Sequence, residues 1–271
     1  ELATLDGRGL ESALAQRVHE RGGGRGIDPD DQAEREARHL LAEQLGGLWA
    51  EHVQNGLLDG RGESGGQMSR LIANISASVA SSRSSVLRLA AVKDMDEYTF
   101  VHTVNVSIQS AALAEAVGLA SDDVHAVIEA GLLHDIGKAL IPPSILGKKG
   151  MLSDEERAVV ERHPVDGAAM LLERNHPNRL AVIVALEHHM HIDGTGYPAA
   201  RRGQRPHLAS QIVQVADVFD ALRTHRPYRA ALPHDVAMEV MWKNAGTKFD
   251  ADLLTTFFER VATRSPVPAA A

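Results

Sequence analysis

Beyond Asp94 nearly every segment of this chain carries apolar residues at the helical period, and no hairpin dipeptide stands between alternating strands. That pattern predicts an all-α domain, a helical bundle, because a helix-period sequence cannot bury its apolar face as a strand. The spacing of Val101, Val104, Ile108, Ala112 and Ala116 predicts a helix over 98–117 with one apolar stripe. Ser121 offers a helix start, and Val124, Ile128 and Leu132 carry the next apolar face into His134. Ser153-Asp-Glu-Glu156 reads as a capping box. Further helices are expected over 179–190, 207–222 and 251–262. Aromatics are only 4% of the chain, which also leans toward helices.

The first 92 residues read differently. Two Gly-rich breaks, at 21–26 and 59–66, bracket a helical pattern over 31–58, and a second helix is expected over 68–92. The expected division is a helical extension over 1–92, a second, all-helical domain over 93–265 and a flexible tail over 266–271. The apolar stripes of the extension suit packing support, a homodimer contact or relay to signalling-protein partners. A monomeric mass in scattering measurements contradicts the dimer version.

Composition removes several classes of function. There is no cysteine, so disulfides, thiolate nucleophiles and sulfur-ligated metals are excluded. The formal net charge of −8 offers no field for a DNA or RNA polymer, so a phosphate ligand must be held by local cations or metal. No apolar run is long enough for a membrane span and no signal peptide opens the chain, which makes a cytoplasmic protein the expectation. The first residue is Glu, so the sequence reads as a fragment of something longer.

Fourteen histidines are a surplus, and their placement matters more than their number. His19, His39, His52, His125, His176, His207, His225 and His234 read as ordinary core or surface residues. The pair His134–Asp135 differs, because it closes an apolar helix and precedes Ile136-Gly-Lys138. A neutral imidazole beside a carboxylate can load one divalent cation while the carboxylate reaches a second. His102, His163, the doublet His188–His189, and Asp217 inside an apolar run are the other ligand candidates. An N/O donor set suits iron or manganese first, with zinc, nickel and magnesium also admitted.

In order, these blocks resemble the HD-GYP family of metal phosphohydrolases. They are Tyr98-Thr-Phe-Val-His102, Leu132-Leu-His-Asp-Ile-Gly-Lys138, Ile141–Gly150, His163-Pro-Val-Asp-Gly167 and His188-His-Met-His-Ile-Asp-Gly-Thr-Gly-Tyr-Pro198. Val215–Leu222, Arg226-Pro-Tyr-Arg229 and Gly246-Thr-Lys-Phe-Asp250 complete the series. The resemblance implies an all-helical fold and hydrolysis of cyclic di-GMP to linear pGpG or GMP at a centre of two or three metals. Carried over by position, His102, His134, Asp135 and Asp217 would ligate one ion. His163, His188 and His189 would ligate the other, with Asp135 bridging.

Members with a third metal have Glu where this chain has Tyr98, so a two-metal centre is expected. Such a pair activates water and stabilises charge on the phosphate in an in-line displacement. Asp135 and Lys138 are the expected catalytic residues. Lys138, Tyr197, Asp220, Arg226 and Arg229 are the expected substrate contacts.

Two departures stand out, besides Lys149 in a loop where the family tends to have Pro. Met190 and His191 follow the His doublet where the family usually has Glu and a basic residue. A thioether cannot orient a ligand His as a carboxylate would, so weakened activity is expected from position 190. That departure also motivates a rival reading as a cyclic-dinucleotide receptor or docking module. A further rival is a phosphodiesterase for another cyclic dinucleotide.

Overall fold

A computed structural model describes residues 95–173, 175–199, 204–224 and 230–262. The expected helices over 31–58 and 68–92, the linkers, the tail and the loop carrying Arg226 and Arg229 lie outside the described residues. Within them the architecture is helical, as expected, and the only β pairing is two isolated bridges, Met190 with Gly196 and Ala245 with Phe249. Among these residues no helix is long and apolar enough to cross a membrane.

The long first helix, α1 (Met95–Ala116), is the axis of the bundle. The sequence suggests one apolar stripe, but residues 102–111 are buried on every side. Polar members of that run survive by internal bonding; Ser107 Oγ donates to the Thr103 carbonyl at 2.9 Å. α1 packs on α2 (Ser121–Leu133) and on α7 (Leu208–Arg223). The approach of α2 is close enough that a Cβ on Gly131 would lie 3.0 Å from Ser107 Oγ.

α2 ends at His134. Asp135 then takes φ −99° and ψ 10°, a sparsely populated bridge conformation, and feeds a 3-10 turn over Ile136–Leu140. A short α3 (Pro143–Leu146) and α4 (Asp154–Val160) follow. The Ser153 capping box is formed: Ser153 Oγ accepts from Glu156 N at 3.2 Å and Glu156 Oε2 accepts from Ser153 N at 2.7 Å. α5 (His163–Glu173) was not singled out by periodicity. Its Pro164 lies in the first turn, where no backbone N–H is needed. α5 lies close against the 3-10 turn, Gly137 facing Gly167 backbone to backbone.

α6 (Arg179–Glu187) starts under an Asn178 side chain that accepts from Leu180 N and Ala181 N. It stops three residues short of the expected 190. Met190 N turns back to the Glu187 carbonyl at 2.7 Å, and the chain folds into the Gly-Tyr-Pro loop. Gly196, at φ 85°, lies directly on the His189 carbonyl, where a Cβ has no room. His207 caps α7 by accepting from Ala209 N. α8 (His234–Trp242) and α9 (Ala251–Thr256) close the domain, with a π turn over Phe257–Val261.

Candidate metal centre

The C-terminal end of α2, the start of α5, the end of α6 and the middle of α7 converge with α1 on one buried cluster. Two groups of side chains there could each hold an ion, with ligand atoms within 4.8 Å of one another: Asp135, His163, His188 and His189 in one, His102, His134 and Asp217 in the other. All seven ligand candidates named from the sequence are therefore gathered at one place.

Asp135 lies between the two groups. Its Oδ2 is 3.2 Å from His134 Nε2, whereas Oδ1 is 3.2 Å from His163 Nε2 and 3.6 Å from His188 Nε2. Tautomers follow from the other ring nitrogens. His134 Nδ1 meets the Gly131 carbonyl at 2.7 Å, His163 Nδ1 meets Val160 O at 2.7 Å, and His188 Nδ1 meets Val184 O and Ala185 O at 3.0 Å. A carbonyl only accepts, so each Nδ1 carries the hydrogen and each Nε2 turns a lone pair inward.

The Nε2 atoms of His163 and His188 then face each other at 3.2 Å, lone pair against lone pair. His134 Nε2 and Asp135 Oδ1 are buried without a hydrogen-bond partner. This convergence of donor pairs and carboxylate oxygens repels itself until a cation enters, so the residues present fit divalent metal.

Electrostatics agree. Burial pushes the His188 imidazole down and, with the neighbouring His188 charge, holds His189 well below its ordinary value. Neutral imidazoles are what a metal requires. Burial opposes ionisation of Asp135, yet neighbouring His134 and the Lys138 ammonium outweigh it and hold the carboxyl well below its usual range. Asp217 is held down in the same way, its burial outweighed by His102.

His102 bonds two carboxylates, Asp220 Oδ2 through Nδ1 at 2.7 Å and Asp217 Oδ1 through Nε2 at 3.1 Å. Burial lowers its pKa, but those two bonds win and raise it to about 9.

Asp220, an expected substrate contact, is 2% exposed, and its oxygens also accept from Asn105 Nδ2 at 2.9 Å and Thr224 Oγ1 at 3.2 Å. In this arrangement Asp220 orients His102 from inside the bundle. Asp220→Asn is expected to lower metal affinity about 10–100-fold with little change in melting temperature, read by metal titration and calorimetry.

Lys138 Nζ lies 2.5 Å from Asp135 Oδ2, so its ammonium is engaged with a candidate ligand. Tyr197 stacks on His189 with ring centroids 4.5 Å apart at 31°. Burial and the charges of Asp135 and Asp217 push its phenol up, so it stays protonated at neutral pH. The Tyr98 side chain, Arg226 and Arg229 lie outside the described residues.

Met190 is buried, and four of the ligand rings are held without it: helix carbonyls meet His134, His163 and His188, and Asp220 meets His102. The expected loss at position 190 therefore has no mechanism through those four rings. Met190→Leu should leave metal content and turnover within about twofold; a tenfold loss would show that the thioether matters.

Two positioning residues were missed. Asn105 steadies Asp220, and Gln214 Nε2 donates to the carbonyls of His188 and Met190, both at 2.9 Å, fixing the doublet. Gln214, Asp217 and Asp220 recur every three residues among apolar neighbours, a polar stripe that could have pointed to all three.

Comparison with known proteins bears on this geometry. The chain is 40% identical over 193 residues to the cyclic di-GMP phosphodiesterase PA4108 of Pseudomonas aeruginosa, covering 71% of this chain and 46% of that protein. It is 36% identical over 155 residues to 3'3'-cGAMP-specific phosphodiesterase 3 of Vibrio cholerae, covering 57% of this chain and 34% of that protein. It thus spans less than half the length of either relative.

Among solved structures it is similar to Bd1817, a HDG"Y"P protein from Bdellovibrio bacteriovorus. The TM-score is 0.63 at 18% identity, over 93% of this chain and 78% of that one, which speaks for the fold. The family model for the HD domain matches residues 68–253. That is well over half of the chain, which belongs to the HD domain family.

Proposed function

We propose that this domain is a metal-dependent phosphodiesterase that linearises cyclic di-GMP, using two divalent ions, iron or manganese. The observation that carries this reading is Asp135, whose two oxygens face separate histidine groups. A bridging carboxylate needs that disposition. A metal pair bound there would supply an activated water and stabilise charge on the phosphate.

The chain's own residues have distinct parts. His102, His134 and Asp217 would hold one ion, and His163, His188 and His189 the other. Lys138 neutralises Asp135 and can turn its ammonium to a phosphate oxygen, because its side chain is 31% exposed. Tyr197, protonated and stacked on His189, walls the site on the Gly-Tyr-Pro side.

The similarity to a 3'3'-cGAMP-specific enzyme supports a second reading, in which one guanine is replaced by adenine. The donors gathered in the cluster address metal and phosphate rather than a base edge. Protein loaded anaerobically with iron or manganese should be assayed on cyclic di-GMP, 3'3'-cGAMP and cyclic di-AMP, with pGpG and GMP resolved. Cyclic di-GMP is expected to turn over fastest. Faster cleavage of 3'3'-cGAMP selects the second reading, and metal-loaded protein inert on all three removes both.

A further inference from the structure

The turn between α8 and α9 carries Lys248 beside the Gly-Tyr-Pro loop. Its backbone is fixed: Gly246 takes φ 80° and donates to the Phe249 carbonyl at 2.8 Å, while Lys248 N and Phe249 N donate to Asn244 O at 3.0 and 3.1 Å. Phe249 is 2% exposed and plugs the turn into the core. Asp193 N donates to the Thr247 carbonyl at 3.0 Å, tying the turn to the Gly-Tyr-Pro loop. Lys248 is thereby held beside that loop, and its charge acts on both His191 and Asp217.

Lys248 differs from the other described lysines, of which only the exposed Lys149 also lacks an ion pair. Lys138, Lys148 and Lys243 each form an ion pair, with Asp135 at 2.5 Å, Glu156 at 2.5 Å and Glu239 at 2.9 Å. Lys248 is half-buried, yet among the described residues it makes no ion pair; its Nζ lies 5.4 Å from the centroid of its neighbour Phe249. Burial disfavours its charged form, and Asp217 only partly restores it. A cation held in this way lacks an anion that a ligand could supply.

His191 does not share the role. Its Nδ1 donates to Thr195 Oγ1 at 2.8 Å, which donates to Asp193 Oδ1 at 2.6 Å, and burial with the Lys248 charge pushes its pKa down to about 4. His191 is therefore committed to Thr195, and Lys248 supplies the positive charge beside this loop.

Resting on the phosphodiesterase reading above, we propose that Lys248 is a substrate-binding residue whose ammonium holds a phosphate oxygen of the cyclic dinucleotide on the Asp217 side of the centre. A cyclic dinucleotide carries two phosphodiesters. The one being cleaved lies at the Asp135 centre, and the other needs a cation of its own. A flexible point charge on a rigid turn suits a phosphate oxygen.

The test compares Lys248→Met and Lys248→Arg with wild type in the full chain. Steady-state kinetics use cyclic di-GMP, and metal content and melting temperature are read on the same samples. Equilibrium dialysis with radiolabelled cyclic di-GMP uses metal-free protein. The expected result for Lys248→Met is a KM about tenfold higher or more, with kcat changed less and metal content retained. Lys248→Arg is expected to recover most of the loss.

An unchanged KM overturns the proposal, as does a fall in kcat and metal content together without rescue by Arg. If metal-loaded wild type turns nothing over, the phosphodiesterase reading fails separately and dialysis decides. Dinucleotide binding that Lys248→Met weakens tenfold upholds the role of Lys248, whereas equal binding or none overturns it.

Discussion

Asp135→Asn is expected to lower turnover of cyclic di-GMP by about a thousandfold or more, and to leave the protein with little bound metal. The substitution keeps the shape of the side chain and removes the charge shared by two groups of histidines. Its effect on the metal-free protein should run the other way. Inward lone pairs from His134, His163 and His188 surround the carboxylate, and an amide N–H can donate to one of them. Metal-free Asp135→Asn should therefore melt at or above the temperature of metal-free wild type. Loss of activity with an equal loss of stability in the metal-free state would mean that Asp135 holds the fold rather than the ions.

The second large effect is expected far from any charge. Gly137→Ala should destabilise the domain by about 3 kcal/mol or more, a fall in melting temperature of roughly 6–12 °C. A Cβ there would be driven into the His163 carbonyl oxygen and would lie 2.6 Å from Gly167 N. Both obstacles are backbone, so no side chain can swing aside. The same contact sets His163 against Asp135, so residual folded protein should also bind metal poorly. Gly150→Ala is the matched control: its Cβ would meet nothing within 4 Å, and its effect should stay within about 0.5 kcal/mol. Equal melting temperatures for the two variants would contradict this packing.

Much of this molecule was legible in the residues. The helical period of the apolar positions announces an all-α domain, and a His–Asp pair closing an apolar helix announces a metal site, because few other settings tolerate such a pair. What was hidden depends on partners distant in sequence. Asp220 looks like Asp217, three residues earlier in the same helix, but one reaches the centre while the other props His102 from behind. Spacing reports a shared face and not which neighbour stands there. The contact of Gly137 with Gly167 could not be read either, since glycine in a turn ordinarily signals conformation rather than close approach.

Position 190 is a related case. A polar-to-apolar change beside two ligands suggests a lost hydrogen bond, yet carbonyls at the ends of α2 and α6, with that of Val160 ahead of α5, orient the rings. Backbone acceptors leave no mark in a sequence.

The central claim is that Asp135 joins two ion sites into one hydrolytic centre. Elemental analysis of anaerobically loaded protein, with cyclic di-GMP turnover measured on the same sample, tests it most directly. The account predicts about two ions of iron or manganese per chain, with turnover rising as the second ion loads. Saturation at a single ion with full turnover, or two ions with none, would contradict it.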